Sequence, residues 1–240
     1  MLPLRDHNPT HRTPVVTIAL IAVNVGIFLT EPLTGTDAQQ TRFFFCNATL
    51  PYEVVNRELA PQVPYGALGC PGKSVLLAML YSMFLHGGLL HIGGNMLFLW
   101  VFGNNVEDRL GRVRFLAFYL LAGAAATMAQ SYLTPASVVP LIGASGAIAG
   151  VLGAYLLMFP HAQVTTLIFY FVTELPAVLV LAGWFLLQVF QGVGSVQGDG
   201  GGVAYFAHIG GFIAGMILLL LLRPRPPSRP QTPIGPVASR

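Results

Sequence analysis

Two polar side chains that could act together in catalysis lie in separate apolar stretches of the chain. Ser145 belongs to the run Gly-Ala-Ser-Gly at 143–146, and His208 belongs to Ala-His-Ile-Gly-Gly at 207–211. A polar group inside an apolar membrane helix is expensive, so each side chain needs a partner or a function. A serine hydroxyl becomes a good nucleophile when an adjacent base removes its proton. Ser145 is therefore a candidate nucleophile, and His208 is a candidate general base.

Small residues around both side chains offer a second interpretation. Gly146 and Gly150 are four positions apart, as are Gly211 and Gly215, and Gly143 precedes them. This spacing lets helices approach closely. The serine and the histidine could then be parts of a packing surface, with the imidazole bound by a neighbouring group. The same close approach would permit a direct Ser–His hydrogen bond, so both interpretations stay open.

Carboxylates are absent from the two stretches that contain this pair. The chain has nine Asp and Glu residues, and none of them lies in the apolar segments around Ser145 and His208. A buried carboxylate behind the imidazole would also lose its hydration. These positions predict a Ser–His dyad rather than a triad.

Two further polar side chains, His91 and Asn95, are spaced for one face of a helix. Both can donate hydrogen bonds without carrying an obligatory charge, as an oxyanion hole requires. Together with the backbone N–H of Ser145, they are predicted to stabilise an oxyanion. The alternative is that both are polar contacts between helices.

A metal site built from His86, His91 and His208 is a rival prediction. No carboxylate or thiolate accompanies these histidines, and the chain has no His-Glu-x-x-His run. We therefore expect no metal and no cofactor.

The composition favours a membrane protein. Of the 240 residues, 54% are hydrophobic and 9% are charged, whereas soluble domains carry about 25% charged residues. A net charge of +3 is too small to suggest a nucleic-acid partner. Apolar segments at 15–30, 85–103, 113–133, 144–159, 175–190 and 203–222 predict an all-α polytopic protein with six transmembrane helices. Residues 161–174 are expected to lie along the interface.

The positive charges predict the orientation of these helices. Six spans put both termini on one side, and cationic loops favour the cytoplasm. We therefore expect a cytoplasmic segment at 1–14, a membrane domain at 15–222 with a long extracytoplasmic loop at 31–74, and a disordered Pro/Arg-rich cytoplasmic tail at 223–240. The plasma membrane is the expected location. Nine of the twelve basic residues fall on the cytoplasmic side: Arg5, Arg12, Arg109, Arg112, Arg114, Arg223, Arg225, Arg229 and Arg240.

Both cysteines of the chain lie in the long loop. Cys46 and Cys70 would face an oxidising compartment, where disulfides persist. A disulfide between them is one prediction. Two free thiols are the alternative, because only close Cα pairs can be bridged.

Taken in order, the motifs resemble the rhomboid family of intramembrane proteases. The similarity covers about residues 15–222 and includes the run Glu-Asp-Arg-Leu-Gly at 107–111. The resemblance implies a six-helix bundle and cleavage of single-span transmembrane proteins within membrane lipid. It implies Ser145 as nucleophile, His208 as general base, and His91, Asn95 and the Ser145 backbone N–H around the oxyanion. The motif residues that carry the resemblance are His86, His91, Asn95, Gly143, Ser145, Gly146, Ala207, His208, Gly211 and Gly215.

Two departures from the family pattern stand out. Some members place an aromatic residue four positions after the serine, where this chain has Ala149. Either Tyr205 or another aromatic residue substitutes, or His208 is held less firmly. Some members carry a Trp-Arg pair in the first loop, but the two tryptophans here are Trp100 and Trp184.

Proteolysis has two alternatives as the function of this chain. A catalytically inactive rhomboid-like protein that binds membrane clients would typically lack the serine or the histidine, and this chain has both. A small transporter would be expected to contain internal repeats, and residues 15–133 and 144–222 do not repeat each other.

Overall fold

The long apolar runs form helices, and the protein is mostly helical. A computed structural model describes residues 1–195, 203–222 and 224. The elements run in chain order β1 (Leu2–Asp6), α1 (Val15–Phe28), α2 (Asp37–Asn47), α3 (Pro51–Asn56), α4 (Val75–Ser82), α5 (Leu89–Leu110), α6 (Arg112–Leu133), α7 (Ser145–Met158), β2 (Gln163–Ile168), β3 (Phe171–Pro176), α8 (Ala177–Ser195) and α9 (Tyr205–Leu222). The tail predicted at 223–240 lies outside the described residues, apart from residue 224.

Three helices of the described chain are long and apolar enough to cross a membrane: α6, α8 over Ala177–Gly194, and α9. Each meets the length of about 18–20 residues that a hydrocarbon core requires. The apolar helices α1 and α7 are shorter, with 14 residues each. The second predicted segment, 85–103, is displaced, because α5 begins at Leu89. Gly88 precedes it with a φ of 153°, a conformation that glycine adopts without strain.

Helix α7 lies at the centre of the bundle. Ten of its 14 residues are buried, and it contacts α5, α6, α8 and α9. The glycines make this possible: a Cβ added at Gly150 would lie 2.6 Å from the Cβ of Ala122 and 3.1 Å from the carbonyl oxygen of Gly211. A Cβ at Gly215 would overlap the backbone of Gly150. The backbones of α7 and α9 are therefore in direct contact.

A three-stranded antiparallel sheet, in the order β1-β2-β3, occupies one end of the molecule. The all-α prediction omitted this sheet. The segment at 161–174, expected along the interface, forms most of the β2–β3 hairpin. The run Gln-Val-Thr-Thr-Leu-Ile of β2 is rich in β-branched residues, which favour strands. Asp6, at the end of β1, accepts hydrogen bonds from Asn105 Nδ2 at 2.6 Å and from the Tyr155 hydroxyl at 2.8 Å. The amino-terminal strand is thus fixed to both α5 and α7.

The predicted loop at 31–74 contains α2 and α3 and has a small core of its own. A disulfide joins Cys46 to Cys70. The buried carboxylate of Glu53 accepts hydrogen bonds from the Tyr65 hydroxyl and from Lys73 Nζ, the latter at 2.8 Å. Burial lowers the pKa of Lys73, and the adjacent Glu53 opposes that shift. A covalent bond and a buried ion pair therefore hold this segment together.

Candidate active site

The candidate nucleophile and base lie within hydrogen-bonding distance of each other. Ser145 is the first residue of α7, and His208 lies in the first turn of α9. The distance from Ser145 Oγ to His208 Nε2 is 2.8 Å. The close contact of the two helices accounts for this distance, because a Cβ added at Gly211 would overlap the backbone of Gly146. The packing glycines and the polar pair are therefore parts of one arrangement.

A third side chain, Gln188 of α8, forms a hydrogen bond with the other nitrogen of the imidazole. Its Oε1 atom lies 2.7 Å from His208 Nδ1, and the residue is 6% exposed. An amide oxygen can only accept a hydrogen bond, so Nδ1 must carry the proton. In the neutral imidazole, Nε2 is then free to accept the proton of Ser145.

The prediction of a dyad with no third partner left Gln188 out. A carboxylate is the usual third partner of a catalytic histidine, whereas the partner here is a neutral amide. A glutamine within the apolar run of α8 was the available signal, because a buried amide must find a hydrogen bond.

The indole of Trp184 packs beside His208. The two ring centroids are 5.8 Å apart, and the rings are tilted by 38°. Ala149 is fully buried and lines the same cavity, so the aromatic contact comes from α8 rather than from α7. Tyr205, which the sequence offered as a substitute, has no ring contact with His208 among those described.

His91 presents its Nε2 atom toward the start of α7. Its Nδ1 atom accepts a hydrogen bond from the backbone N–H of Gly87 at 3.2 Å. In the neutral ring the proton must then lie on Nε2, which makes that atom a donor. A Cβ built on Gly143 would lie 2.8 Å from His91 Nε2 and 3.5 Å from Ser145 Oγ.

Gly143 serves a purpose other than the helix packing expected of it. The residue precedes α7 and has a φ of 123°, which a side chain would strain. Its lack of a Cβ keeps the space between His91 and Ser145 open.

Asn95 lies one helical turn beyond His91 on α5. Its side chain is 8% exposed, and its Nδ2 atom is buried without a hydrogen-bond partner. An unsatisfied buried donor is costly, so its persistence calls for an occupant that accepts the bond. His91, Asn95, Ser145 and His208 all line one cavity of about 670 Å³.

No group of three or more His, Cys, Asp or Glu side chains gathers among the described residues. The rings of His86 and His91 are 5.1 Å apart. His86 Nδ1 lies 3.2 Å from the carbonyl oxygen of Phe84, and both nitrogens of His208 are bound to Ser145 and Gln188. The geometry therefore favours nucleophilic chemistry over a histidine metal site.

Known proteins resemble this chain over the same region. The Rhomboid domain family model matches residues 73–225, which include α4 to α9. The chain is 34% identical over 145 residues to Rhomboid protein 1, mitochondrial, of Saccharomyces cerevisiae, covering 59% of this chain and 40% of that protein. It is 32% identical over 155 residues to RHOMBOID-like protein 1 of Arabidopsis thaliana, covering 64% and 36% respectively.

A bacterial relative is similar over a shorter stretch. Rhomboid protease GluP of Bacillus subtilis is 44% identical over 78 residues, which cover 32% of this chain and 15% of that protein. The chain spans less than half the length of each of these three relatives.

Proposed function

Because the chain belongs to the rhomboid family, we propose that it is an intramembrane serine protease that cleaves transmembrane proteins. The observation that carries this proposal is the 2.8 Å contact between Ser145 Oγ and His208 Nε2. Both residues line a cavity that is also lined by Asn95, whose Nδ2 atom has no hydrogen-bond partner among the described residues. A serine and a base at this distance meet the geometric requirement for nucleophilic catalysis. An inactive client-binding relative would have no use for such a pair.

The first chemical step follows from the proton positions. Ser145 Oγ attacks the scissile carbonyl carbon while its proton passes to His208 Nε2. The carbonyl π-bond becomes a lone pair on oxygen, and the peptide nitrogen is still attached. In the tetrahedral intermediate, hydrogen bonds from His91 Nε2–H, Asn95 Nδ2–H and the backbone N–H of Ser145 stabilise the oxyanion.

The intermediate then collapses to an acyl-enzyme. His208 returns its proton to the peptide nitrogen as the C–N bond breaks, and the new amine departs. Water then attacks the acyl ester with His208 again as base, which releases the carboxylate product and restores Ser145. No side chain other than Ser145 and His208 gives up or takes up a proton in this scheme.

We also propose that six helices, α1 and α5 to α9, span the membrane with both termini cytoplasmic. In this topology the start of α1 and the ends of α5 and α7 lie on the same side of the membrane. The contacts of Asp6 with Asn105 and Tyr155 support that placement. The membrane domain would then cover 15–222, with the 31–74 segment extracytoplasmic. Relatives named as mitochondrial give no support to the predicted plasma membrane, so the proposal extends only to a membrane.

The test is cleavage of a single-span transmembrane substrate by the purified protein in liposomes. We expect the parent protein to cleave and Ser145→Ala and His208→Ala each to abolish cleavage, because nucleophile and base act as a unit. Ser131→Ala is the matched control: among the described residues, the Ser131 hydroxyl donates to the carbonyl of Thr127 within α6, at 2.8 Å. Cleavage by Ser145→Ala at the parent rate would refute the mechanism.

A further inference from the structure

One face of α8 is directed at the candidate base. Trp184, Gln188 and Gly192 recur every four residues and so lie on the same side of the helix. The first two contact the His208 ring. At the third, an added Cβ would lie 3.3 Å from Tyr205 Cβ and 3.4 Å from Ile209 Cδ1. This face is therefore packed against the first turns of α9.

We infer that Gln188 is a positioning residue for catalysis, which holds His208 in the tautomer and orientation that accept the Ser145 proton. The inference rests on the proposed function. Neutral imidazole carries one proton, which can reside on either nitrogen. With the proton on Nε2, the ring would offer Ser145 a donor and could not act as its base. The Gln188 oxygen, 2.7 Å from Nδ1, selects the productive tautomer.

The same hydrogen bond persists through the reaction. When His208 takes up the serine proton, both ring nitrogens become donors, and Gln188 Oε1 continues to accept from Nδ1. The amide therefore need not rotate or change its own protonation in any step. Being neutral, it also avoids the desolvation that a carboxylate at this buried position would incur.

Trp184 restricts the ring in a second direction. The hydrogen bonds to Ser145 and Gln188 define an axis through the imidazole, and the indole packs beside the ring, with centroids 5.8 Å apart. Rotation of the ring about the hydrogen-bonding axis would push it against the indole. The base is thus fully oriented only while α8 remains packed on α9.

The test compares variants of Gln188 in the full chain, with kcat and KM measured on the same transmembrane substrate. Gln188→Leu removes the acceptor, and Gln188→Asn retracts it by one methylene. Both should lower kcat about tenfold with KM little changed, because a lost hydrogen bond of this kind is worth about one decade in rate. Gln188→Glu retains an acceptor at the same reach and should stay within about threefold of the parent kcat. Gln191→Leu, which removes an amide from the same helix, is the matched control and should leave kcat unchanged.

A second measurement is the rate at which a fluorophosphonate probe labels Ser145, which requires the base but no transmembrane substrate. Labelling should slow in Gln188→Leu and Gln188→Asn and recover in Gln188→Glu. Three outcomes would overturn the assignment. The Leu and Asn variants could both have the kcat of the parent, the effect could be confined to KM, or the Glu variant could be as impaired as the Leu variant. Equal cleavage by the parent protein and by Ser145→Ala would instead refute the proposed function.

Discussion

The carboxylate of Glu107, at the end of α5, accepts two hydrogen bonds from Thr17. The backbone N–H of Thr17 donates at 2.7 Å and the Thr17 hydroxyl at 2.8 Å. The same carboxylate accepts the N–H of Val16 at 2.9 Å. The first N–H groups of a helix lack intrahelical partners, and no side chain of the preceding residue caps α1. A residue about 90 positions away therefore caps the first apolar helix.

Loss of this remote cap should destabilise the protein. We expect Glu107→Ala to lower the free energy of unfolding by about 3 kcal/mol, because buried donors lose a charged acceptor. Glu107→Gln keeps one acceptor oxygen and should lose less. The measurement is unfolding by titration with a denaturing detergent. Asp108→Asn is the control, since the carboxylate of half-buried Asp108 accepts one hydrogen bond within the described part of the chain, from the N–H of His11 at 3.2 Å. Equal stability of Glu107→Ala and the parent would show that the cap is dispensable.

Asn95 should matter to the rate without being essential to the reaction. We expect Asn95→Ala to lower kcat about 10²–10³-fold, as loss of one oxyanion donor does in serine hydrolases. KM should change little, because the donor is needed mainly in the transition state. Slow cleavage should therefore remain measurable in Asn95→Ala and be absent in Ser145→Ala under identical conditions. Cleavage at the parent rate would assign Asn95 to helix packing alone.

Glu31 should make stability depend on pH. Burial raises its pKa from 4.5 to about 7, although the backbone N–H of His86 partly favours the charged form. Because the folded state holds this proton more tightly, the stabilisation is present at low pH and is lost as the pH rises from 4.5 through 7. The expected loss is about 3 kcal/mol.

The measurement is the free energy of unfolding at pH 4.5, 6 and 8. Glu31→Gln should remove this pH-dependent part, since the amide does not titrate. Glu58→Gln, at an exposed position, should leave it in place. If the free energy of unfolding changes between pH 4.5 and 8 by the same amount in the parent protein and in Glu31→Gln, the assignment is contradicted.

Reduction of the disulfide should weaken the segment that contains α2 and α3. Cys46 and Cys70 enclose a separation of 24 residues, for which the entropic contribution is about 3 kcal/mol. We expect the Cys46→Ser/Cys70→Ser variant to be cleaved faster by a soluble protease within 31–74. Alkylation followed by mass spectrometry should find no reactive thiol in the folded parent. Two alkylated thiols would contradict the bond.

The site residues that can be predicted from the sequence are polar side chains within apolar segments. Ser145 and His208 are polar groups in apolar runs, and their glycine neighbours indicate a close approach. Gln188 is a side chain of the same kind, but its connection with His208 depends on how α8 turns against α9. Neither the pairing of β1 with β2 nor the capping of α1 by Glu107 could be read from local patterns. Both join segments 90 or more positions apart.

The pairing of β1 with β2 also orders events during synthesis of the chain. Leu2 pairs with Leu167 and Asp6 with Val164, so β1 leaves the ribosome before α1 to α7 and meets its partner strand only after those helices have been translated. Until then β1 is an unpaired edge beside a growing set of helices. Closure of the sheet is therefore a late step of biogenesis, in which the β2–β3 hairpin joins a strand that was made before seven helices.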